Sequence, residues 1–413
     1  MESFDKIAVI GLGYIGLPTA AMFADSGLTV VGVDVNLAAV ETINSGRAHI
    51  EEGDLDALVE RSVRNGRLRA TLEPEAADAF IIAVPTPVSH DADHRPDLDY
   101  VRAAGRSIAQ VLRKGNLVIL ESTSPVGATE MLAGLLAQER PDLSIGSGED
   151  SDIHLAYCPE RIIPGRMLVE LVENDRVIGG LSEASAEMAS RLYRSFVKGA
   201  CHITTARVAE MVKLAENSFR DVNIAFANEL SLVAEKLGAD VWEVIRLANR
   251  HPRVSILSPG AGVGGHCIAV DPWFLVDGAP AESRLIRTAR EVNDNKPEHV
   301  VRSVENILVE NPDSKAACLG LTYKADVDDF RESPALQIVT ALSKKFPGRV
   351  LAVDPYRDAL DATTIADGGL ALTSLDQALE QASVIVPLVA HQEFRVLECP
   401  SGVTVIDPVG LWK

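Results

Sequence analysis

Residues 6–18 read KIAVIGLGYIGLP, and this stretch decides the fold. Lys6 to Ile10 is a short apolar, β-branched run that reads as a buried strand. Gly11, Gly13 and Gly16 then follow at the spacing of a tight strand-to-helix turn, and Pro18 is placed to start a helix. Glycines there let the backbone turn sharply and approach a pyrophosphate lying on the helix N-terminus. The next apolar run ends VVGVD at Asp34, 18 residues beyond Gly16, where a carboxylate would accept hydrogen bonds from a ribose and repel a 2′-phosphate. Strand, glycine turn and acidic strand end together predict a dinucleotide site for NAD rather than NADP.

Outward from this turn, short apolar runs alternate with helix-like stretches, as in βαβ units with a parallel sheet. Strands are expected at Lys6 to Ile10, Thr29 to Asp34, Ala79 to Val84, Asn116 to Glu121 and His154 to Tyr157. Two of them run into IIAVPTP (Thr86) and VILESTSPVG (Thr123), with Thr129 just beyond. Ligands of open parallel sheets collect at the strands' carboxyl ends, so these threonines are candidate cofactor contacts as well as ordinary helix caps. From about Arg207 a stretch without Pro or internal Gly runs to Gly238 and predicts one long helix; others follow at Asp240 to Asn249 and from about Glu282 to Asn311. After Pro312 the βα texture returns in AACLGLTY, RVLAVDPY, ASVIVPLVA and VTVIDPV. The expected fold class is α/β: two Rossmann-like doubly wound domains (1–205 and 312–413) joined by a long central helix and a small all-helical middle domain (206–311). The polar insert His90 to Asp99 reads as a solvated loop.

With 413 residues, at about 150 per domain, several domains are expected. Hydrophobic residues at 47% and charged residues at 24% exclude disordered and fibrous classes. The net charge of −20 has the wrong sign for a general nucleic-acid or anionic-membrane surface, so any phosphate site must be local. Five cysteines without CxxC or paired spacing, no basic-then-apolar start, and no apolar run near the ~20 residues of a spanning helix point to the cytoplasm. Scattered histidines offer no metal site.

The chemistry-bearing residues lie further on. Lys213, Asn217 and Arg220 share one face of the long helix at i, i+4 and i+7. GVGGHCIAVDPWF places Cys267 beside Gly264, Gly265 and His266, with Asp271 four residues on; glycines around a thiol read as room for a substrate carbon. Beside a nicotinamide, a thiolate can trap an aldehyde as a thiohemiacetal, whose further oxidation gives a thioester. That scheme needs a cation for the oxyanion, for which Lys213 is suited, and a carboxylate to steer water, for which Glu160 in CPERIIPG is a candidate.

In this order, IGLGYIGLPTA, AVPTP, LVILESTSPVG, AYCPER, AEMVKLAENSFRDVNIAFANELS, RLANRHPRV, GVGGHCIAVDPWF, RLIRTAREVND and DDFRESPA resemble the UDP-sugar 6-dehydrogenase (UDP-glucose/UDP-mannose dehydrogenase) family over nearly the whole chain. The resemblance implies a four-electron oxidation consuming two NAD per sugar, in an enzyme that is at least a dimer. It implies Cys267 as nucleophile, Asp271 as partner to Lys213 or water, Lys213 as acid/base or oxyanion residue supported by Asn217, and Glu160 as water-activating base. It further implies substrate contacts from Arg161, Ile162, Lys213, Asn217, Arg220 and Gly264, from His251 and Arg253 near a neighbouring subunit, and from Tyr323 and Lys324 on the diphosphate. The NAD pocket would include Gly11, Gly13, Tyr14, Ile15, Gly16, Asp34, Thr86, Thr123, Thr129 and, across the domain cleft, Arg331. Glucose-type members carry a second glutamate four residues after the first, where this chain has Pro164. That departure tells against UDP-glucose, and the substrate the resemblance implies is UDP-N-acetyl-D-mannosamine, with UDP-N-acetyl-D-glucosamine as the alternative. A two-electron hydroxyacid or sugar-phosphate dehydrogenase shares the N-terminal pattern but needs no thiol at Cys267.

Overall fold

The computed structural model describes all residues except 1–3, 51, 90–93, 147, 149, 163–165 and 266. Pro164 and His266 therefore lie outside the described residues. The chain forms two compact units, Met1–Glu216 with Trp273–Gly278, and Asn217–Pro272 with Ala279–Lys413.

The first unit holds an eight-stranded sheet built from β1 (Lys6–Ile10), β2 (Thr29–Val33), β3 (Leu68–Thr71), β4 (Ala79–Ile82), β5 (Asn116–Leu120), β6 (Ile153–Tyr157), β7 (Arg176–Gly180) and β8 (Cys201–Thr205). The spatial order is β3-β2-β1-β4-β5-β6-β7-β8, parallel throughout except where β7 runs against β6. Ile7, Val9, Ile81, Leu117 and Ile119 pack into one core while Ala8, Ile10, Phe80, Ile82, Val118 and Leu120 pack into another. Both faces are thus covered by helices, which is why these strands are apolar at every position after Lys6 and Asn116 at the starts of β1 and β5. The strand order reverses between β1 and β4, so the turns leaving those strands border the crevice where such sheets take ligands.

In the second unit β9 (Ala316–Leu319), β10 (Val350–Val353), β11 (Ala371–Leu372), β12 (Val384–Pro387) and β13 (Thr404–Val405) form an all-parallel sheet ordered β11-β10-β9-β12-β13. Its switch point lies between β9 and β12. The helices Val241–Ala248 and Arg284–Glu310 precede it, the former capped by Asp240, whose carboxylate accepts the Trp242 N–H at 2.9 Å. The helix Ala206–Leu237 is continuous for 32 residues and carries chain from the first unit into the second.

The polar insert is not simply solvated. His94 stacks on Trp273 with centroids 4.2 Å apart, and Ser89 and Asp97 donate backbone N–H groups to Arg95 and Pro87. Among the described residues no helix is long and apolar enough to cross a membrane, and no group of His, Cys, Asp and Glu could hold a metal ion.

Candidate active site

The glycine turn after β1 divides its labour by position. Gly11 has φ +89°, and a Cβ there would meet the Ala83 carbonyl at 2.5 Å; one at Gly16 would lie 1.8 Å from the Gly11 carbonyl. At Gly13 a Cβ would meet nothing within 4 Å, so that position is open to a ligand, with exposed Tyr14 beside it. The helix Gly16–Asp25 begins after Ile15 with no side-chain cap; its Leu17 and Thr19 N–H groups donate to the Gly13 and Ile15 carbonyls at 3.1 Å, and Pro18 carries none. Asp34 accepts from the Leu12 N–H at 2.9 Å and the Asn36 N–H at 2.8 Å, which ties the end of β2 to the turn. A glycine-shaped cradle, an uncapped helix start and a carboxylate at the ribose position fit a dinucleotide.

Thr86 and Thr123 are brought together: the Thr86 hydroxyl donates to the Thr123 carbonyl at 2.5 Å, joining the ends of β4 and β5. Thr129 is fully buried, and its hydroxyl and N–H both donate to Glu210, which also accepts the Gly127 N–H at 2.7 Å. Glu210 thus caps the helix Ala128–Glu139 from the long helix. Sequence reasoning missed it, although it stands one helical turn before Lys213.

Lys213 is buried, and its ammonium donates to the Glu160 carbonyl at 2.7 Å. The Glu160 carboxylate accepts the Ile162 N–H. Burial raises its pKa to about 7 against the opposing fields of Lys213 and Arg176, with Glu121 and Glu170 adding to the rise. Behind it lies a buried group that sequence reasoning also missed. Arg176 reaches Glu121 at 3.4 Å and lies over the Tyr193 ring, whose hydroxyl donates to Glu121 at 3.0 Å. Arg161 pairs with Glu216 at 2.6 Å and donates to the Asp175 carbonyl.

In the second unit, Cys267 is exposed, and none of the five cysteines is in a disulfide. The Cys267 carbonyl accepts the Asp271 N–H at 2.8 Å and so opens the turn into the helix Asp271–Gly278. Asn217 donates its amide to the buried Asp271 carboxylate. Arg290 donates to Asp221 at 2.6 Å and to the Ile268 carbonyl at 3.4 Å, bracing the residue after the thiol. The loop glycines correct the expectation of free room: a Cβ on Gly264 would lie 2.3 Å from the Glu332 carbonyl, and one on Gly265 2.8 Å from the Tyr323 ring. The protein's own chain fills that space: the Glu332 carbonyl demands glycine at 264, and a φ of +83° together with the Tyr323 ring demands it at 265.

Lys324 and Arg331 are exposed, Arg331 forming a bidentate pair with Asp329 at 2.7 and 2.9 Å. His251 and Arg253 stand on an exposed hairpin closed by Asn249, which exchanges hydrogen bonds with the Ile256 backbone at 2.7 and 3.0 Å. Arg220 is also exposed.

Residues 5–197 match the NAD binding domain of the UDP-glucose/GDP-mannose dehydrogenase family, residues 207–295 its central domain, and residues 317–411 its UDP binding domain. A UDP-N-acetyl-D-mannosamine dehydrogenase of Campylobacter jejuni is 57% identical over 396 residues, 95% of this chain and 97% of its own. An NDP-N-acetyl-D-galactosaminuronic acid dehydrogenase of Ralstonia nicotianae is 55% identical over 99% of this chain and 97% of its own. Among solved structures, a UDP-D-ManNAc dehydrogenase from Pyrococcus horikoshii superposes with a TM-score of 0.88 at 42% identity, covering 99% of this chain and 96% of that one.

Proposed function

Because the chain belongs to the UDP-glucose/GDP-mannose dehydrogenase family and carries its NAD binding domain, we propose that it oxidises the C6 alcohol of UDP-N-acetyl-D-mannosamine to the carboxylate. The product, UDP-N-acetyl-D-mannosaminuronate, would serve as a precursor of cell-surface polysaccharide. Bound NAD supplies the hydride acceptor for both oxidations. The Cys267 thiolate adds to the aldehyde carbon, the carbonyl electron pair moves to oxygen, and Lys213 holds that oxyanion with its ammonium. After the second oxidation a thioester remains. Glu160 takes a proton from water as the water attacks, the C–S bond breaks, and the thiolate leaves. Per sugar, two hydrides depart, one water enters and three protons are released.

The observation that carries this reading is Glu160, a buried carboxylate held near neutrality beside Lys213. A general base for water serves a hydrolytic step, which a two-electron alcohol dehydrogenase lacks. The mannosamine-directed relative at 57% identity supports the sugar. We further propose a cytoplasmic homodimer in which His251 and Arg253 serve the neighbouring subunit's site; their exposed hairpin supports it.

The test is the NADH yield on limiting UDP-N-acetylmannosamine, made in place from its gluco epimer by an epimerase. Wild type is expected to give two NADH per sugar, and Cys267→Ser to lose that stoichiometry. One NADH per sugar in wild type overturns the double oxidation. No NADH here but a full yield on the gluco or galacto sugar keeps the chemistry and overturns the epimer.

A further inference from the structure

At the second unit's switch point, one imidazole closes a ring of hydrogen bonds around the loop that carries Lys324. His391 follows β12 and is buried. The Asp326 N–H donates to its Nδ1 at 3.0 Å, so Nδ1 carries a lone pair and the ring proton sits on Nε2. Nε2 lies 3.1 Å from the Thr322 hydroxyl, which in turn donates to the Lys324 carbonyl at 2.8 Å. The chain of donors thus runs from Asp326 through His391 and Thr322 to Lys324, with the lysine held between two anchored neighbours. Asp326 adopts φ +62°, unfavourable for a side chain with a Cβ, and its carboxylate accepts the Gln392 N–H at 2.9 Å. The backbone keeps that conformation because His391 and Gln392 hold it from both sides.

We propose that His391 is a positioning residue for the diphosphate of the UDP-sugar: its neutral imidazole fixes the loop Thr322–Asp326 and thereby aims Lys324. This rests on the assignment of Lys324 to the diphosphate. Carboxylates also face the ring: Asp354 lies 3.5 Å from Nε2 and the Asp326 carboxylate 3.7 Å from Nδ1. Tyr356 packs at 5.7 Å between centroids, near Asp326, Asp328 and Asp354, and Phe394 packs edge-on at 5.5 Å. On the helix that His391 begins, Arg395 spends its Nε–H on the Ala390 carbonyl.

Two measurements on the full chain test this. Binding of UDP-N-acetylglucosamine without NAD is followed calorimetrically at pH 8. His391→Phe should bind about tenfold more weakly than wild type, and His391→Asn, which keeps an acceptor near Nδ1, should recover most of that loss. Amide exchange of residues 322–326, corrected for intrinsic rate, is measured without ligand and should lose protection in His391→Phe and keep it in His391→Asn. Far-UV circular dichroism and the thermal melt of the chain report that each variant is folded. Wild-type binding and loop protection retained in folded His391→Phe, or no recovery in folded His391→Asn, overturn the proposal. Loop protection lost in His391→Phe with binding unchanged upholds the anchoring and overturns the placement of Lys324.

Discussion

As the base proposed for water, Glu160 would set a pH requirement on one step of the reaction. With burial raising its carboxyl to about 7, the group is protonated below that pH and unable to accept a proton from water; above it, the carboxylate is available. Thioester hydrolysis should therefore rise with pH through about 7 and then level. Glu160→Gln should slow hydrolysis by about 100- to 10,000-fold and erase the pH dependence, and intact mass should show the sugar acyl group retained on the protein. A variant that turns over two NADH per sugar at the wild-type rate would remove Glu160 from the role. At this scale the sequence exposes residues whose neighbours in the chain already state their environment: Gly11, Gly13 and Gly16 after a strand, Asp34 at a strand end, Cys267 in a glycine loop. It conceals residues defined by partners far along the chain. Glu210 acts on Gly127 and Thr129, and Arg176 on Glu121, 81 and 55 residues away for the Thr129 and Glu121 contacts. Gly265 shows the same limit from the other side, since besides its φ of +83° a reason for glycine there is the distant Tyr323 ring.

Among the elements, the turn of residues 11–16 is the least tolerant of change. A methyl group at Gly16 would sit 1.8 Å from the Gly11 carbonyl, a backbone atom that cannot step aside without opening the turn. Gly16→Ala should cost at least tenfold in NAD affinity by titration, while UDP-sugar binding by the other unit stays near wild type. Gly13→Ala, whose Cβ meets no protein atom, should leave thermal stability unchanged and weaken NAD alone. Unchanged NAD affinity in both variants would remove the turn from the cofactor site. The strands legible in the sequence are the central ones, buried on both faces and hence continuously apolar: β1, β2, β4, β5, β6, β9, β10 and β12. The unread ones have physical reasons for a weak signal. The β3 sequence LRAT alternates exposed and buried positions, β8 is mostly exposed, and β11 has two residues. The strand β7 ends in Gly179 and Gly180, where a Cβ would meet the Thr205 carbonyl at 2.4 Å and the Ser182 carbonyl at 2.2 Å. Close backbone packing there demands residues of low strand propensity.

For the molecule as a whole, the charge of −20 leaves phosphate recognition to local cations, the role proposed for Lys324, and the acidic remainder serves solubility. The apolar surface is less readily explained within one chain. Along the helix Ala206–Leu237, Phe219, Phe226, Val233 and Leu237 recur at intervals of seven, seven and four residues and are 71%, 54%, 47% and 76% exposed. Residues at that spacing lie on one helical face, and a row of large apolar side chains left in water is of the kind that marks an interface. A helix of 32 residues is about 48 Å long, so two copies laid along this face can contribute much of the roughly 1,600 Å² typical of a stable pair. A self-complementary contact between identical helices also closes with two-fold symmetry and leaves no patch for further growth. Wild type should therefore sediment at twice the 44.2 kDa chain mass at micromolar concentration. Phe226→Glu combined with Leu237→Glu places charge where the partner's apolar face would lie, and should yield the 44.2 kDa species. If His251 and Arg253 serve the neighbouring site, that monomer should keep NAD binding in its first unit yet lose turnover. A double variant that still sediments as a pair, or a wild type that is monomeric throughout, would show that this face does not join two copies.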